Sequence, residues 1–364
     1  MVRAAVIVAP NGPVEIRQFP TPQLEGGAVL LRTLCTEVCG TDVHLLHGQL
    51  DQTSYPLIPG HINVGTIEAA SGPVTDALGQ ALSEGDLVAF LDVHETCNNC
   101  WHCLVAKAST RCPKRRVYGI TYGADEGLLG GWSEKIYLKP GVKIVRLPED
   151  LAPETFIAGG CALPTAFHGL QRGEAGLGDT VVVQGSGPVG LMAVALAKLA
   201  GALRIVLVGA PQMRLEVGGR LGADAIINFQ DTTAAQRRDQ VLQLTGGHGA
   251  DVTIEATGVP EALPEGMNFT RDGGVYVILG QYTDAGGVTI NPHLDINRKH
   301  LEVRGCWGID FSHFYKSIQV LARYRDCLPW EDVISRCYSL DEAAQALDDV
   351  AHQRVVKAVL RPND

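Results

Sequence analysis

The stretch Val181-Val-Val-Gln-Gly185-Ser-Gly187-Pro188-Val189-Gly190 limits what this chain can fold into more than any other segment. Three glycines fall at the G-x-G-x-x-G spacing between an apolar run at 180–184 and a second at 189–200. Such glycines permit a tight turn, close approach of a pyrophosphate and tight packing of helix on strand. Alone the pattern is weak. Between a strand and a helix start it specifies a dinucleotide site at a helix N-terminus. Gly185, Gly187, Pro188, Val189 and Gly190 are therefore candidate cofactor contacts. Strands over 204–208, 225–228, 252–255 and 275–279 then alternate with helices over 212–221 and 233–245. That alternation implies a parallel sheet covered on both faces.

A different texture surrounds this region. Residues 1 to about 160 carry short apolar runs at 4–8, 29–33, 64–69 and 86–90, separated by loops rich in Gly and Pro, which reads as all-β. After 309, helices are expected over 311–324 and 340–352, with strands at 334–339 and 355–360. Ser339 and Glu342 have the spacing of a capping box. A chain of 364 residues is too long for one ordinary core, so two domains are expected.

The chain has 40 acidic and 30 basic side chains, a net charge of −10. That field repels nucleic acid and anionic membrane, so neither is an expected partner. The longest apolar stretch already contains Lys198 and is too short to span a bilayer. The N-terminal residues read as a strand and not as a signal peptide, so a cytoplasmic location is expected. In a reducing compartment the ten cysteines suit metal binding better than disulfides. Cys97, Cys100, Cys103 and Cys112 fall within sixteen residues. Four thiolates around one point close a tetrahedral zinc site with no vacant position, hence a structural one. An iron–sulfur cluster is the competing reading, since Cys112-Pro113 follows two Cys-x-x-Cys steps, but the last interval is too long for the ferredoxin pattern.

Three further residues, Cys39, His61 and Cys161, lie on separate loops, and no single spacing joins them. They belong to a larger order: Cys39-Gly-Thr41-Asp42-Val-His44, Gly60-His61 with Gly65 following, the four-cysteine loop, Cys161 with Thr165 following, then the glycine motif. This order resembles the zinc-dependent medium-chain dehydrogenase/reductase family, the alcohol dehydrogenases, over essentially the whole chain. The resemblance implies an α/β fold: a GroES-like β-rich catalytic domain at 1–162 and 310–364, and a doubly wound Rossmann domain at 163–309. It makes Cys39, His61 and Cys161 the ligands of a catalytic zinc with one position left for alcohol, so two zinc ions per chain. It gives Thr41 the alcohol's hydroxyl proton, His44 its passage to solvent as general base, and Asp42 the orientation of His61. Taken singly, His44 reads equally as a loop histidine, Asp42 as a turn cap and Cys161 as a small core residue. One departure stands out. The family usually has Glu after the zinc-binding His, near the metal, and here the residue is Ile62.

The strand at 204–208 runs into Gly209-Ala210-Pro211, without the acid that grips the ribose of NAD or the Ser and Arg that grip the phosphate of NADP. NAD is the expected cofactor, with NADP open. Arg214, one helical turn on, is either a ribose or phosphate contact or a solvated helix residue. By resemblance Gly280 and Tyr282 pass the nicotinamide and Lys357 meets the pyrophosphate. Lys357 also reads as a sheet-edge gatekeeper. Positions matching the family's pocket are Leu50, Val93, Trp132 and Tyr282, which suit an apolar, secondary or cyclic alcohol oxidised to a ketone or aldehyde. Trp132 equally reads as core. A homodimer or homotetramer joined near Val303 is expected. The competing functions are a reductase of activated C=C bonds and a non-catalytic NAD-binding structural protein, the latter favoured by Ile62 alone.

Overall fold

Val181, Val182, Val183, Ile205, Val206 and Leu207 have no exposed surface. Strands that bury both faces need helices above and below, and their apolar runs do not alternate. The computed structural model, which describes Met1 to Asp364, builds them into a six-stranded parallel sheet. Its order is Ala225–Asn228, Arg204–Gly209, Thr180–Gln184, Ala250–Glu255, Thr270–Ile278, Glu302–Gly305. The order reverses beside Thr180–Gln184, and ligands of doubly wound sheets bind outside the strand ends at such a switch point. The glycine turn leaves the sheet there. Helix Pro188–Leu199 begins with Pro, whose missing N–H is harmless in the first turn, and buries every residue from Gly190 to Ala197.

The unit containing this sheet is Cys161–Ile309 with Asp326–Asp332. The last segment was expected with the other domain; in the structure Asp332 pairs with Arg220 of this unit. Two helices without a foreseen counterpart, Ala162–Gly173 and Ala262–Phe269, also belong here.

The other unit is Met1–Gly160, Asp310–Arg325 and Val333–Asp364. Its main sheet runs Ile334–Ser339, Lys357–Arg361, Val29–Val38, Asn63–Ala70, Leu87–Phe90, Ile144–Arg146, with Lys135–Leu138 also paired to Val29–Val38. Its core includes Leu31, Ile67, Phe90, Tyr118 and Ile136. With the doubly wound parallel sheet it makes an α/β molecule of two parts. Strands Val29–Val38 and Asn63–Ala70 are antiparallel, with Thr36 opposite Asn63. Antiparallel pairing puts the end of one strand beside the start of the other. Cys39, just past the first strand, and His61, just before the second, are thereby brought to the same end. Ser339 and Glu342 form the expected capping box, over a turn at Leu340–Glu342 that leads into helix Ala343–Ala351. No helix is long and apolar enough to cross a membrane.

Candidate functional site

Cys39 caps helix Gly40–Leu46, and the Asp42 carboxylate folds back to accept from the Cys39 N–H at 2.8 Å. Its other oxygen lies 3.4 Å from the Gly60 N–H. Asp42 is thus a turn cap that ties together the loops carrying Cys39 and His61. It has no exposed surface. Burial pushes its carboxyl up to about 6, while the charge of His61 pulls it down. Gly60 has φ +88, and a Cβ there would lie 2.6 Å from Trp132 Cδ1, so only glycine lets the chain turn into His61. Cys161 precedes helix Ala162–Gly173 and follows Gly160 at φ +50.

The ligand atoms of Cys39, His61 and Cys161 lie within 4.8 Å of one another. Tetrahedral zinc places thiolate and imidazole donors about 3.5–3.8 Å apart, so the three need close in by only about 1 Å. Two thiolates and a neutral imidazole offset the charge of a divalent ion and leave one coordination position. The residues fit a catalytic zinc. Within the same helix, Thr41 is half-buried and His44 sets Nδ1 at 2.6 Å from Gln49 Oε1. With Gln49 accepting, Nδ1 carries the proton and Nε2 is the basic nitrogen. Nothing in the residue order marks Gln49 for this part.

The four sulfurs of Cys97, Cys100, Cys103 and Cys112 also lie within 4.8 Å of one another. Cys100 and Cys103 are 3.5 Å apart, as are Cys112 and Cys97. A single tetrahedral ion with Zn–S near 2.3 Å needs sulfurs about 3.8 Å apart. A cluster would have to fit several metal atoms between them, so this spacing fits one ion. Burial pushes Cys103 up to about 12. Burial also acts to raise Cys112, yet N–H donors from Cys97 and Lys114 bring it down to about 7. Crowded thiols driven apart in this way are what a cation would equalise.

In the Rossmann unit Gly185 has φ +106, and a Cβ on Gly190 would sit 1.8 Å from the Gly185 carbonyl oxygen. Gly187, Pro188 and Val189 are partly exposed at the helix start. A Cβ on Gly209 would be 2.5 Å from Ser186 Oγ, which donates to the Ala210 carbonyl. Glu255 is fully buried and was not foreseen as a site residue. Its carboxylate accepts from the N–H groups of Thr257, Gly258 and Gly280, fixing the loops on which the nicotinamide side of the site is expected. Tyr282 stacks on Trp307, ring centres 5.7 Å apart.

Three sequence readings need correction. Lys357 is neither a phosphate contact nor an edge gatekeeper: its ammonium is buried 2.8 Å from Glu37 and donates to the Ile157 carbonyl. Trp132 does not line a pocket. It has no exposed surface and its indole N–H donates to the Glu37 carbonyl, so the core reading holds. Arg214 is 9% exposed, which rules out the solvated-helix reading. Of the other pocket candidates, Leu50 is half-buried, and Val93 is buried and pairs with Val117.

Residues 25–149 match the family model of the alcohol dehydrogenase GroES-like domain, and residues 188–323 match that of the zinc-binding dehydrogenases. The 5-exo-hydroxycamphor dehydrogenase of Pseudomonas putida is 36% identical over 98% of each chain. D-arabinitol dehydrogenase 1 of Uromyces fabae is 30% identical over 94% of this chain and 92% of its own. The crystal structure of an alcohol dehydrogenase from Thermotoga maritima superposes with a TM-score of 0.94 at 31% identity, covering 99% of both chains. A zinc-binding dehydrogenase from Sinorhizobium meliloti 1021 bound to NADP gives a TM-score of 0.86 at 26% identity, over 100% of this chain and 99% of that one.

Proposed function

This chain belongs to the zinc-dependent medium-chain alcohol dehydrogenases, which act on CH–OH donors, and on that premise we propose that it oxidises an apolar secondary or cyclic alcohol to the ketone with NAD. The observation that carries the reading is the convergence of Cys39, His61 and Cys161 within 4.8 Å. Zinc and a nicotinamide cofactor are common to the family. That this chain holds two zinc ions, one on the three-residue set and one on the four cysteines, is part of the proposal.

Bound there, the metal supplies Lewis acidity toward the alcohol oxygen and the nicotinamide supplies the hydride acceptor. The remaining work falls to the chain. Thr41 takes the proton leaving the substrate hydroxyl onto its own oxygen and passes its own proton onward. His44 receives that proton at Nε2, because Gln49 holds the ring with Nδ1 as donor. Asp42 fixes the relative placement of Cys39 and His61 through two backbone N–H groups. Glu255 holds the Gly280 and Gly258 backbones for the nicotinamide, and the Gly185–Gly190 turn offers the pyrophosphate a helix N-terminus.

The substrate reading draws on the hydroxycamphor relative, whose named substrate is a cyclic secondary alcohol, and on Leu50, Val93 and Tyr282 carrying no charge. The preference for NAD rests on Gly209-Ala210-Pro211, which offers no cationic grip for a 2′-phosphate, although the Sinorhizobium neighbour binds NADP. A panel of primary, acyclic secondary and cyclic secondary alcohols, assayed with each cofactor by the absorbance of reduced nicotinamide, tests both. The highest kcat/KM is expected for a cyclic secondary alcohol with NAD. Equal turnover of ethanol overturns the substrate assignment, and a large NADP preference overturns the cofactor.

A further inference from the structure

Glu37 and Lys357 are each 1% exposed and form an ion pair at 2.8 Å inside the GroES-like unit. A buried pair is expensive to desolvate and weak evidence for stability in itself, so its location needs a reason. Glu37 lies two residues before Cys39. Its backbone N–H donates to the carbonyl of Ile62, the residue after His61, at 3.2 Å. Its carboxylate lies against Gly160, the residue before Cys161. A Cβ on Gly160 would fall 2.1 Å from Glu37 Oε2 and 2.5 Å from Lys357 Nζ. One side chain and its backbone therefore touch or adjoin the segments that carry all three ligands. The residue after His61 is Ile62, itself buried. In this chain a carboxylate reaches the same neighbourhood from strand Val29–Val38.

We propose that Glu37, anchored by Lys357, is a positioning residue of the three-ligand centre, setting the affinity of Cys39, His61 and Cys161 for a divalent cation. The proposal rests on the reading of those three as metal ligands. Two effects act together. The carboxylate packs against the glycine that leads into Cys161, fixing where that thiol starts. Its charge also favours a cation nearby in a poorly screened interior. Lys357 keeps the carboxylate in place and offsets its charge in the apo protein.

The test compares Glu37→Gln, Glu37→Asp and the doubly neutral Glu37→Gln/Lys357→Met with the parent enzyme. Readouts are zinc stoichiometry, chelator competition, thermal midpoint and the d–d absorption of the cobalt-substituted protein. The parent should hold two ions per chain. In Glu37→Gln the cysteine-loop ion should stay, while the other is lost to chelator at least ten-fold more readily, with an altered cobalt spectrum. Glu37→Asp should recover part of that affinity. The double variant, free of an unpaired buried charge, should regain thermal stability without regaining cation affinity. If it binds both ions as the parent does, with the parent's cobalt spectrum, the pair only packs the core and the proposal fails. A parent with one zinc that keeps full alcohol oxidation overturns instead the three-ligand reading beneath it.

Discussion

Asp42 performs two tasks with one carboxylate: it caps the helix that starts after Cys39, and it holds Gly60 beside His61. Asp42→Asn keeps the side-chain shape and an acceptor for the Cys39 N–H, but removes the charge near His61. Partners that orient a metal-binding histidine are worth roughly 10–100-fold in metal affinity or activity. A drop of that size in kcat/KM is expected, with easier zinc loss to chelator; unchanged kinetics would show that Asp42 acts as a cap alone. Removing a ligand is more drastic. Cys161→Ser should lower zinc from two per chain to one and abolish alcohol oxidation while leaving the cysteine-loop ion in place, as metal analysis by mass spectrometry reads directly. At this scale the sequence disclosed residue types and their order but not their partners. Lys357 looked like a free cation because nothing in the chain marks Glu37, 320 positions earlier, as its partner. Trp132 looked available for a pocket because flanking glycines carry no information about what packs on the ring.

Helices and strands show a sharper split between what could be anticipated and what could not. The Rossmann strands are legible because burial on both faces leaves uninterrupted apolar runs, and the glycine turn because its spacing is imposed by contact. Gly190→Ala puts a methyl 1.8 Å from the Gly185 carbonyl carbon's oxygen, so loss of nicotinamide binding by at least ten-fold is expected in a fluorescence titration. The helices Ala162–Gly173 and Ala262–Phe269 escaped notice because each has Pro as its third residue, Pro164 and Pro264. Proline reads as a breaker, yet in a first turn the N–H it lacks has no intrahelical partner anyway. Helix Phe311–Tyr324 offers a pH test. Asp310 caps it, accepting from the N–H groups of Ser312 and His313. The His313 ring beside it holds the Asp310 carboxyl well below its usual range. A depressed folded pKa means stabilisation that is complete above the unfolded value and lost as pH falls through the folded one. Asp310→Ala should therefore cost about 1 kcal/mol at neutral pH. The gap between variant and parent in thermal melts should be present above the ordinary carboxylate range and be lost as pH falls below it.

At the level of the whole molecule, the parallel sheet ends in Glu302–Gly305, a strand with Val303 38% exposed and a partner strand on one side only. An open edge of this kind invites pairing with a second copy. We expect a dimer or tetramer in sedimentation, and Val303→Lys should shift it toward the monomer without changing the fold by circular dichroism. An oligomer unmoved by that substitution would place the contact elsewhere. The glycine at 160 has a different consequence, one for descent. With its missing side chain replaced by Glu37 and Lys357 atoms, the position cannot drift by single steps: a saturation library there should return glycine alone. Space for a side chain at this corner opens only when residues 37 and 357 change as well, so two positions outside the proposed three-ligand centre would govern how freely it can vary.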